Sequence, residues 1–159
     1  MTDIVELDLC ASKDMAKTSK VPCICLLEYG GTFWDGIDEH EFIGTQQLLT
    51  TATQLLWIVK STDSPLHPKV HIVDGLSRVL SSEDPRRRIV RLKLDSGDYN
   101  SDISTLGRVF HHLLTSPIAQ MESKYQEHSG ILDTGRAVPL PTMNKELTSQ
   151  LSPFRIVSV

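Results

Sequence analysis

The chain has 159 residues, of which 40% are apolar and 23% charged, with a formal net charge of −4. That length supports one domain burying roughly 68–70% of its unfolded surface, and the charge offers no general attraction to nucleic acid or anionic membrane. No apolar run approaches the ~18 residues of a membrane span. The acidic N-terminus MTDIVELDLC lacks a signal pattern, and three cysteines (Cys10, Cys23, Cys25) make no disulfide framework, so a cytoplasmic protein is expected.

Residues 1–20 read as a lead-in segment, polar and loop-like over 10–20. VPCICLLE (21–28) is nearly all apolar and ends at Gly30-Gly31, as a strand buried on both faces does. Asp38 opens a helix, with Glu41 three residues on to complete a capping box. Phe42, Leu48, Leu49 and Ala52 follow at roughly helical spacing. LLWIVK (55–60) is a second buried strand. Pro68 suits the first turn of a second helix, whose expected buried stripe is Val70, Val73, Leu76, Val79 and Leu80, with Pro85 as its stop. IVRLKLD (89–95) alternates apolar with basic residues and predicts a third strand near a sheet edge. SGDYNSD (96–102) reads as a turn. Residues 103–114 place Ile103, Leu106, Phe110, Leu113 and Leu114 on one helical face. ESKYQEHSGILDTGRAVPL suggests a hairpin around Ser129-Gly130, and NKELTSQ (144–150) a short helix in an otherwise irregular tail. The alternating order β-α-β-α-β-α specifies an α/β fold, a mainly parallel sheet flanked by helices.

A dinucleotide-binding turn needs glycines that let the backbone reach a pyrophosphate. Gly30-Gly31 is the candidate, but the spacing is not GxGxxG and Trp34 puts bulk beside it. A short-chain reductase needs a tyrosine with a lysine four residues on. Beyond Tyr29, Tyr99 and Tyr125 stand Phe33, Ile103 and Ser129. His67, His71 and Asp74 have helical spacing compatible with a metal, against the plainer reading of polar residues at a helix start. Cys23 and Cys25 read as buried thiols. His111 and His112 point apart on one helix. Glu83 and Asp84 beside Arg86, Arg87 and Arg88 read as a solvated ion cluster at a helix end, with a grip on a carrier-arm phosphate as the functional alternative. No catalytic, cofactor-binding or metal-binding residue is therefore assigned, and no cofactor.

LLE (26–28), DEHEF (38–42), LLWIVK (55–60), GLSRVLSSEDP (75–85), RLKLD (91–95) and ESKYQEHSGILDTGR (122–136) stand in a characteristic order. Together they resemble the truncated ketoreductase-like domain of fungal highly reducing polyketide synthases, between the methyltransferase region and the enoyl reductase. The resemblance spans roughly 21–150. Val79 and Ser81 depart from the usual Thr and Arg, and Asp133-Thr134-Gly135 replaces a hydrophobic-Pro before Arg136.

The resemblance implies a truncated Rossmann-like subdomain over 21–138, with 139–159 as tail or linker. Its implied role is non-catalytic: scaffolding the catalytic ketoreductase half and the adjacent enoyl reductase or methyltransferase domains, with surface around 89–95 and 118–138 meeting the partner. The competing readings are a small NADPH-dependent reductase with an atypical cofactor site, and a stand-alone binding module using the His67/His71 face.

Overall fold

The computed structural model describes residues 21–30, 33–60, 71–95 and 98–135. Gly31, His67, Pro68, Val70, Arg136 and the expected helix at 144–150 lie outside these. Strands β1 (Cys23–Glu28), β2 (Gln54–Lys60), β3 (Arg88–Leu94), β4 (Lys124–His128) and β5 (Ile131–Asp133) form one sheet in the order β1-β2-β3-β4-β5. The first three pairings are parallel and the last antiparallel. Helices α1 (Glu39–Thr51), α2 (Ile72–Glu83) and α3 (Tyr99–Thr115) connect the parallel strands. The expected α/β fold is the one observed.

The local signals explain most element ends. Asp38 accepts from the Glu41 amide at 2.8 Å while the Glu41 carboxylate takes the Asp38 amide at 3.0 Å, completing the box that starts α1. Pro85 follows closely on the end of α2. Ser129 (φ 51°) and Gly130 (φ 83°) both take left-handed backbone, as a two-residue hairpin turn requires. Helix α3 begins at Tyr99, four residues before the expected start, with Asp98 extended at its cap. Asp102 in its first turn suits the positive end of the helix dipole.

The sheet separates two cores. On one face α1 and α2 bring Leu48, Leu49, Ala52 and Val73 onto Cys23, Cys25, Leu55, Trp57, Val59 and Ile89. On the other, α3 brings Val109 and Leu113 onto Leu56, Ile58, Val90, Leu92, Leu94 and Tyr125. All three connections run in one direction across the sheet, yet α3 lies opposite α1 and α2. The third connection therefore has the opposite hand from the first two, against the strong rule that parallel crossovers share one hand.

Two expectations are corrected. Strand β3 is central, between β2 and β4, and Arg91 is 1% exposed; its alternating basic residue points into a covered face where α2 supplies a carboxylate. The helix stripes are met in part: Leu48, Leu49, Ala52, Val73 and Leu113 are buried as expected, and Leu80, Leu106 and Phe110 pack against the cores. Phe42, Leu76, Val79, Ile103 and Leu114 are exposed. The buried positions include Thr45 on α1, Asp74 and Ser77 on α2, and Asp102 and Thr105 on α3. Each of these polar side chains takes a place that apolar periodicity assigns to a neighbour.

Candidate functional site

In an open parallel sheet, ligands bind outside the carboxyl ends of the strands, where adjacent connections leave toward opposite faces. Here that point lies between β2, which leads to α2, and β3, which leads to α3. Three polar side chains converge there. Tyr29 follows β1, Lys60 ends β2, and Asp102 sits in the first turn of α3. The Tyr29 hydroxyl donates to Asp102 Oδ2 at 2.9 Å, and Lys60 Nζ reaches the same oxygen at 3.3 Å. Lys60 Nζ also lies 5.0 Å from the Tyr29 ring centroid, a cation–π distance. Asp102 is 3% exposed and its Oδ1 has no hydrogen-bond partner. Burial and the Asp102 carboxylate raise the Tyr29 pKa. A tyrosine acting as a proton relay needs the opposite shift toward neutrality. The Asp102 bond raises the Lys60 pKa as well, so the lysine stays a cation. The triad ties three elements together and holds both groups in the protonation states they have in water.

The first strand's exit is filled rather than open. Trp34, in the short 3-10 turn Phe33–Asp35, stacks on Trp57 with centroids 6.2 Å apart and planes at 15°. Trp57 Nε1 donates to Glu28 Oε2 at 2.5 Å. Burial pushes the Glu28 carboxyl up, against the Trp57 bond and the Arg91 charge. Gly30 needs no left-handed backbone. Cys23 and Cys25 are buried, and burial pushes the Cys25 thiol up to about 12, so it is a thiol rather than a nucleophile.

A second polar cluster lies under α2. Arg91 Nη1 donates to both Asp74 oxygens, at 3.0 and 2.8 Å. Lys124 Nζ reaches Asp74 Oδ2 at 3.2 Å, and His71 Nδ1 lies 3.3 Å from it. Burial alone would raise the Asp74 pKa; the Arg91 guanidinium, helped by His71 and Lys124, reverses this and holds the carboxyl below its usual value. Arg91 Nε and Nη2 are buried without partners, so Asp74 is the carboxylate that keeps this guanidinium tolerable inside. His71 thus meets Asp74 within an ion network, and His67 lies outside the described residues. Among the described residues no three His, Cys, Asp or Glu side chains stand together as a metal site.

Arg86 and Arg87 share Asp84, the latter at 3.6 Å, while Arg88 turns elsewhere. Arg86 pairs with Asp84 at 3.0 Å on the surface. Arg87 donates to the Leu49 carbonyl of α1 at 3.0 Å. Arg88 Nη1 donates to the Leu113 and Ser116 carbonyls at 3.0 and 2.9 Å, where the last turn of α3 leaves orphan acceptors. Two of the three therefore hold helix ends at the amino end of the sheet, far from the strand exits. His111 is exposed and His112 half-buried, His112 meeting the Tyr125 ring edge-on at 6.2 Å.

The sequence reading missed Lys60, Asp102, Glu28, Lys124 and Glu127. Glu127 Oε2 accepts from the Asp95 amide at 3.0 Å and Oε1 from the Gly130 amide at 2.5 Å, tying the hairpin to β3. A usable signal was present for one pair. A basic residue inside an apolar strand, with an acid on the adjacent helix's apolar stripe, calls for a buried ion pair.

No protein-family model matches the chain, and no solved structure matches it. Among the described residues, no helix is long and apolar enough to cross a membrane. The chain is 25% identical over 149 residues (92% of its length) to the highly reducing polyketide synthase phiA of Fungal sp. (strain ATCC 74256). It is 29% identical over 130 residues (80%) to the highly reducing polyketide synthase cla2 of Cladosporium cladosporioides. It is likewise 29% identical over 140 residues (82%) to the highly reducing polyketide synthase tazB of Aspergillus terreus (strain NIH 2624 / FGSC A1156). The chain spans 5–6% of the length of these curated relatives. Over most of its length it is similar to one short region of fungal highly reducing polyketide synthases.

Proposed function

We propose that the chain is a non-catalytic structural subdomain acting in polyketide biosynthesis. It scaffolds the catalytic ketoreductase half and the neighbouring reducing domains of a polyketide synthase. The observation that carries this reading is how the strand exits are used. Trp34 stacks on Trp57 over Glu28 at the first exit. At the switch point Asp102 clamps Tyr29 and Lys60 to α3. Side chains that chemistry would draw on are spent holding elements together. The similarity to three long synthases, each matched along one short region, supports a part that works within a larger chain. Exposed Leu26 and Ile103 supply apolar surface of the kind a neighbouring domain covers.

Grafting tests the proposal. This chain replaces the matched segment of the Cladosporium synthase, and reduced polyketide is measured against the parent and against a deletion of the segment. The scaffold reading predicts loss on deletion and recovery with the graft. Loss that the graft does not repair, or NADPH oxidation by the isolated chain, overturns it.

A further inference from the structure

We draw no further inference here: the strongest candidate, the unpartnered Oδ1 of buried Asp102 beside Tyr29 and Lys60 at the carboxyl ends of the strands, belongs to the site already described, and nothing in the structure shows a ligand that would take it.

Discussion

The two faces of the sheet are built on different principles. Under α1 and α2 the core contains charge: Asp74, Arg91 and Glu28 lie among Trp57, Val59 and Val73. Under α3 the centre of the core is apolar apart from Tyr125, with the buried Thr105 and Asp102 of the helix itself toward its first turn, and among the described residues the layer stops short of β1. A buried ion pair is a poor source of stability, but it is costly to break from one side. It therefore fixes α2 in one position over β3 and β4. The α3 side gains ordinary apolar burial and keeps a face unfinished. The contrast teaches that here the specific packing and the available surface lie on opposite sides of one sheet.

The strongest way to break the contrast is to remove one charge. Asp74→Ala leaves Arg91 buried and unpaired, and should cost about 3–5 kcal/mol in urea unfolding. Pairing Asp74→Leu with Arg91→Met should recover most of that loss, because the uncompensated charge goes too. On the other face Leu113→Ala should cost about 2–5 kcal/mol through a cavity, independent of pH in the acid range. The Asp74 face should show a pH dependence there, below about pH 4. Its folded-state pKa is depressed, so its contribution is present above the unfolded value of about 3.9 and is lost as pH falls through the folded value. Asp74→Asn should flatten that acid limb.

Smaller changes sharpen the comparison. Gly130→Ala forces an L side chain to φ 83° and should cost about 1–2 kcal/mol, read from the shift in thermal midpoint. Glu28 is the reverse of Asp74. Its folded pKa is raised, so its contribution is full below the unfolded value and lost as pH rises through the folded one. Glu28→Gln keeps an acceptor for Trp57 and should be neutral or stabilising at pH 7, with the advantage vanishing in acid. Smallest of all, Leu26→Lys on the bare face should change the isolated chain by less than about 0.5 kcal/mol.

Order, element type and the hairpin were legible because they rest on local rules. Apolar runs of strand length, Asp38 with Glu41, Pro85 and Ser129-Gly130 each act within a few residues. The polar residues that share the buried helix faces were not legible. Apolar periodicity pointed to Val73, Leu76, Val79 and Leu80, whereas Leu76 and Val79 are exposed and Asp74 and Ser77 are buried beside Val73. The reason is a long-range partner: Arg91, seventeen positions on, draws Asp74 inward. Arg91 misled the placement of β3 for the same reason, since a basic residue in an alternating strand reads as solvent-facing until its carboxylate is known. The Tyr29–Lys60–Asp102 triad draws on three elements, 73 positions apart at the widest, and no spacing rule connects them.

Amide hydrogen exchange tests the central claim most directly, comparing the isolated chain with the same chain grafted into the Cladosporium synthase. The account predicts slower exchange in the synthase at residues 103–114 of α3 and along β1, with α2 unchanged. Exchange at α3 and β1 that is identical in the two settings would contradict it.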